Sequence, residues 1–168
     1  IVQGGLHNAL VRALQQLGLA DAFGEAELPM LVLNVTFPLV PDEITRFCVG
    51  RRAVLVVEEG APEYIEHEIL AALRRADIQT PVHGKDLLPA AGELNAELLA
   101  TGLIAFCERH LPAAALDAGR DWLGANAERR SAVAAALDRP LPARPPSFCI
   151  GCPERPVFSA ITLAQQAV

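Results

Sequence analysis

The sequence predicts a three-layer α/β/α domain built on a mostly parallel sheet, and three observations carry that prediction. Short β-branched apolar runs, Met30–Thr36 and Ala53–Glu59 foremost, alternate along the chain with stretches whose apolar residues recur every three or four positions. The strand-like runs are apolar on both alternating sets of positions, as strands covered on both faces are. Alternation of this kind implies right-handed crossovers between parallel neighbours.

Ile1 to Gln3 reads as the end of a strand whose interior Ile1 already occupies, so the chain is expected to begin partway through a domain. Gly4 and Gly5 then allow a tight turn into a helix carrying Leu6, Leu10, Ala13, Leu14 and Leu17, with Gly18 as its C-cap. Met30–Thr36 is a strand ended by Pro38, and Asp42 is expected to cap a short helix through Ile44, Phe47 and Cys48 to Gly50. Ala53–Glu59 is the strongest strand. Pro62 to Arg75 is a helix, with acidic residues at its start and Arg74 and Arg75 at its end, as the helix dipole favours. Ile78 to His83 is a further strand, Asn95 to Arg109 a helix, and Ala113 to Leu137 an alanine-rich helical region in one or two pieces.

Prolines 140, 142, 145 and 146 then exclude both helix and central strand. The expected organisation is one domain over residues 1–138, a Pro-rich linker over 139–147 and the opening of another unit over 148–168. At 52 % apolar and 20 % charged residues the composition is globular, and no apolar run reaches the roughly 18 residues of a membrane span. A net charge of -6 argues against nucleic acid, which needs a basic footprint. No basic n-region precedes the first apolar residues, and four unevenly spaced cysteines make no disulfide framework, so a cytoplasmic, membrane-free protein is expected.

Candidate chemistry is sparse. Gly4-Gly5 between strand and helix can offer amides to an anion, but it lacks the G-x-G-x-x-G spacing. Glu58 and Glu59 end the best strand at the carboxyl edge, where open α/β sheets bind ligands and where buried strands also simply surface. Gly84-Lys85-Asp86 lacks the flanking residues of a phosphate loop and reads as a charged turn. His7, His67, His83 and His110 show no ligand or triad spacing, and Cys48 and Cys107 read as buried apolar residues. Cys149 and Cys152, in Cys-Ile-Gly-Cys-Pro, suit zinc or an iron–sulfur cluster, a redox pair, or a tight turn with buried thiols.

The blocks GGLHNALVRALQQLGL, LVLNVTFPLVPDEITRF, AVLVVEEGAPEYIEHEI, VHGKDLLPAAGEL and RPPSFCIGCPERPVF stand in the order and at the spacing of one family. Through them the chain resembles the large subunit, or a fused form, of indolepyruvate ferredoxin oxidoreductase. The resemblance implies that residues 1–138 are similar to the C-terminal domain of transketolase, with room for one antiparallel strand, and that 148–168 open the thiamine-diphosphate-binding domain. It implies an enzyme that oxidatively decarboxylates aryl pyruvates with coenzyme A to aryl acetyl-CoA and CO2, passing electrons to ferredoxin. Thiamine diphosphate, Mg2+ and [4Fe-4S] clusters are its implied cofactors. Other domains of the same enzyme and a smaller subunit or its fused equivalent are the implied partners.

Within that family the base-activating glutamate lies upstream of this segment and the diphosphate and magnesium ligands downstream. The 168 residues alone are therefore expected to be inactive, cofactor-free and structural, with no catalytic residue. Cys149 and Cys152 are implied as two of four ligands to a [4Fe-4S] cluster in the full-length protein. Family members often carry C-P-H-R where this chain has Cys152-Pro153-Glu154-Arg155, so no role is borrowed for Glu154. The alternatives are another thiamine-dependent 2-oxoacid oxidoreductase or dehydrogenase component, or a free-standing module binding an anion at Gly4-Gly5.

Overall fold

The computed structural model describes residues 1–26, 28–111, 115–137, 139, 152 and 154–166. It divides into two compact units, Ile1–Arg129 and Arg130–Val168. The linker expected over 139–147 lies, apart from Arg139, outside the described residues.

In the first unit every described strand pair is parallel. β1 (Val2–Gln3) lies beside β2 (Val32–Leu33), with Val2 opposite Val32. β3 (Val54–Leu55) lies beside β4 (Val82–His83), with Val54 opposite Val82. A parallel bridge between Val2 and Val57 joins the two ribbons, and the seam is closed by Gln3 N–H donating to Val57 O at 3.1 Å and Val57 N–H donating to Ile1 O at 2.8 Å. The spatial order is β2-β1-β3-β4. Pairing covers less than the apolar runs predict: Met30–Thr36 contributes Val32–Leu33, and Ala53–Glu59 contributes Val54–Leu55 with the bridging Val57. Beyond Val57 the polar groups turn to side chains and loops instead of a neighbouring strand, as when Glu59 N–H donates to Gln3 Oε1 at 3.2 Å.

The helices are α1 (His7–Gln16), α2 (Pro41–Cys48), α3 (Tyr64–Arg75), α4 (Ala96–His110) and α5 (Asp117–Ala135). A further helix, α6 (Arg155–Gln166), belongs to the second unit. Two cores divide the side chains of β3 by the period of two that a strand imposes. Leu55 and Val57 join Val2, Leu10, Leu14, Leu99 and Leu103 in a core with α1 and α4, whereas Val54 and Val56 join Ile1, Ile44, Ile65, Ile69 and Leu73 in a core with α2 and α3. Each helix pair thus covers its own face.

α1 ends as the sequence suggests. Gly18 adopts φ 70°, Leu19 N–H donates to Leu14 O at 2.8 Å and Gly18 N–H to Gln15 O at 3.0 Å, which is a Schellman closure. The start of α2 differs from expectation. Val40 holds the N-cap position without a side-chain bond and Pro41 opens the helix, so Asp42 falls in the first turn and does not cap. Proline suits that place because its missing N–H has no helical partner there anyway, and Asp42 still meets the helix dipole favourably. α4 does have a side-chain cap: Asn95 Oδ1 accepts from Glu97 N and Leu98 N, each at 3.1 Å. Asn95→Ala is expected to lower the unfolding free energy by about 1 kcal/mol. Urea titration of the two chains measures it, and an unchanged midpoint would show that the cap contributes nothing.

Candidate functional site

The carboxyl edge of β1, β2 and β3 forms a crevice of about 610 Å³, lined among others by Gln3, Thr36, Phe37, Glu58, Glu59, Tyr64 and Glu68. Its two sequence candidates have structural duties. Glu58 is buried, 6 % exposed, and its carboxylate accepts from Ile65 N at 2.9 Å and Glu66 N at 3.2 Å. These are the second and third amides of α3, whose own N-cap residue, Glu63, makes no side-chain cap bond. Glu58 therefore caps α3 from the preceding strand end, where a negative charge also meets the positive end of the helix dipole. Glu59 Oε1 accepts from Leu94 N at 2.7 Å and holds the approach to α4.

Gly4 and Gly5 fall in a 3-10 turn, Gly4–Leu6, leading into α1. A Cβ at Gly4 would lie 3.1 Å from the β2 carbonyl Leu33 O and 3.2 Å from the side-chain Asn34 Oδ1. A side chain at Gly4 would crowd these oxygens, which favours glycine there. The Gly84-Lys85-Asp86 turn is built internally. Gly84 N donates to Asp86 Oδ1 at 2.9 Å, Lys85 N to Glu66 Oε2 at 3.0 Å, and Lys85 Nζ to the Glu58 carbonyl at 2.5 Å and the Pro89 carbonyl at 3.3 Å. The lysine binds backbone in place of a phosphate.

Two histidines that carried no spacing signal meet in space. His83 Nδ1 bonds Asp86 Oδ2 at 2.7 Å, His110 Nε2 lies 2.9 Å from His83 Nε2, and Arg109 reaches Asp86 at 3.3 Å. Phe106 packs edge-on to His83 with ring centroids 5.9 Å apart. The Asp86–His83 half is legible as an i, i+3 pair after the fact; His110 comes from 27 residues away, through packing of α4 on β4. Burial works against the Asp86 anion, but the bonds from His83 and Gly84 N and the charges of His83 and Arg109 outweigh it and hold its carboxyl below the usual range. Desolvation, then the charges of His83, Arg109 and Arg52, push His110 below the ordinary histidine value. An NMR titration is expected to give His110 a midpoint below that value, moving upward in Arg109→Gln. A midpoint at or above the ordinary value would contradict the arrangement.

His7 is half-buried at the start of α1, and the exposed His67 pairs with Glu63 at 3.4 Å. Cys48 and Cys107 are fully buried in separate cores, where burial raises both thiols. Cys149 lies outside the described residues, and Cys152 is a half-buried free thiol. Among the described residues no three His, Cys, Asp or Glu side chains converge as metal ligands, and no helix is long and apolar enough to cross a membrane.

No family model matches the chain. No solved structure matches it. Curated relatives do. Over 167 residues, 98 % of this chain, it is 34 % identical to the indolepyruvate oxidoreductase subunit IorA of Methanothermobacter thermautotrophicus. It is 29 % identical over 165 residues to the subunit of the same name from Thermococcus kodakarensis, and 31 % identical over 162 residues to that from Archaeoglobus fulgidus. The chain spans 22 % of the length of the first and last of these relatives and 23 % of the Thermococcus one. Because one of these relatives is 34 % identical over 98 % of the chain, this chain belongs to the family of the indolepyruvate oxidoreductase subunit IorA, of whose length it represents about a fifth.

Proposed function

We propose that this chain is a scaffold and interface segment of a thiamine-dependent indolepyruvate (aryl pyruvate):ferredoxin oxidoreductase, similar to the C-terminal domain of transketolase, and that the segment alone is inactive. Likeness to IorA over 98 % of the chain is the observation that carries the reading. The commitment of Glu58 and Glu59 to backbone amides supports the scaffold role, since the carboxylates best placed at the sheet edge are spent on holding α3 and the approach to α4. Parallel strands with helices on both faces suit a transketolase-like domain.

When bound in such enzymes, thiamine diphosphate supplies the carbanion that attacks and decarboxylates the 2-oxoacid. Glu58 does not fit the base that cofactor needs, so its binding is assigned to polypeptide outside these residues. By the same reading Cys149 and Cys152 ligate a [4Fe-4S] cluster in the longer protein, and coenzyme A, ferredoxin and a smaller subunit are its other partners. Calorimetric titration of the 168-residue chain with thiamine diphosphate and Mg2+ is expected to show no binding. The whole natural enzyme is expected to reduce an artificial electron acceptor with indolepyruvate and coenzyme A, and to stop when thiamine diphosphate is removed. Tight cofactor binding by the short chain, or a whole enzyme indifferent to thiamine, would overturn the reading.

A further inference from the structure

We propose that the carboxyl-edge crevice is a docking surface for the remainder of the same IorA-type polypeptide, which places an arginine between Phe37 and Tyr64 and onto Glu68. The proposal rests on the interface reading above and names the surface and its occupant. Phe37 is 82 % exposed and Tyr64 70 %, and both line the crevice with Thr36, Glu59 and Glu68. Two large rings left in water beside a concave surface mark a site that another surface covers.

The choice of occupant follows from charge. Both Glu58 oxygens are taken by α3 amides and one Glu59 oxygen by Leu94 N. Glu68, by contrast, has no hydrogen bond or ion pair among the described residues. The crevice therefore combines a carboxylate without a partner and two exposed aromatic rings in one lining, in a chain of net charge -6. A guanidinium meets both demands: its plane stacks on the rings and its fork bonds a carboxylate. The source is the same polypeptide because relatives of this family are more than four times as long as the matched segment, so most of such a subunit is available to cover it.

Amide hydrogen exchange over residues 35–40 and 60–68 tests this, comparing the 168-residue chain with the whole natural subunit. In the whole subunit these amides are expected to exchange roughly tenfold or more slowly. Glu68→Lys and Tyr64→Ala, made in the whole subunit, are expected to restore the fast rate, while circular dichroism of the same variants in the short chain stays unchanged. Equal exchange in both proteins, or protection that survives Glu68→Lys, overturns the proposal. Protection that appears only when a smaller subunit or a small cation is added assigns the crevice to that ligand and overturns it as well. Enzyme activity separates the two readings: an active subunit with an unprotected crevice sinks only the docking surface, and an inactive one with a protected crevice sinks only the catalytic reading.

Discussion

Glu58→Ala is expected to lower the unfolding free energy by about 3 to 4 kcal/mol, a large share of what a domain of this size has. The substitution removes the acceptor for Ile65 N and Glu66 N, bonded at 2.9 and 3.2 Å, and the N-cap residue Glu63 makes no side-chain cap bond of its own. Each buried amide left without a partner costs about 1–3 kcal/mol, and loss of a negative charge at a helix start adds up to about 1 more. Glu58→Gln keeps an acceptor for one amide and is expected to lose about half as much. The carboxylate's two-amide reach is thereby separated from mere bulk. Urea unfolding of the three chains decides it; a loss below about 1 kcal/mol in the alanine variant would show that the amides find other partners.

That role was not legible in the sequence, and the reason is geometric. A capping residue is sought within three positions of a helix start, yet Glu58 reaches amides seven and eight residues ahead across the Gly60–Pro62 turn. What could be read was what depends on local periodicity: the apolar faces of α1, α3 and α4, the Gly18 closure and the apolar runs around β2 and β3. The apolar runs exceed the paired strands because an apolar run shows that a segment is buried, not how many of its amides meet a neighbour. Asp42 falls inside the helix instead of capping it because Pro41, well suited to the first helical position, starts the helix one residue earlier. The His83–His110 contact and the meeting of Phe37 with Tyr64 in the crevice that Glu58 and Glu59 mark escape for a third reason. Both join residues from elements that only the sheet order brings together, and no spacing rule records that.

In a chain whose first residue is Ile1, stability is expected to fall by about 3 kcal/mol between pH 8 and pH 5 through one group, the α-amine. Its nitrogen donates to Leu55 O at 2.8 Å, as a strand amide would, inside the core shared with Ile44 and Val54. Desolvation pushes its pKa down from 8.0 to about 5, against a smaller opposing effect of Cys48. The folded chain thus binds fewer protons than the unfolded one across that window, so the stabilisation is complete above pH 8 and is lost as pH falls toward 5. A shift of about three pH units at about 1.36 kcal/mol each sets a ceiling of about 4 kcal/mol, of which about 3 falls between the two midpoints. A chain in which Ile1 follows another residue keeps the N–H and its bond but has no amine to protonate, so its stability should lack this slope. Protonation of His110, also disfavoured in the folded state, acts on both chains alike and cancels in their difference. Urea unfolding of the two chains at pH 8, 6.5 and 5 measures that difference directly, and parallel pH profiles would mean that the amine reaches water in the folded state.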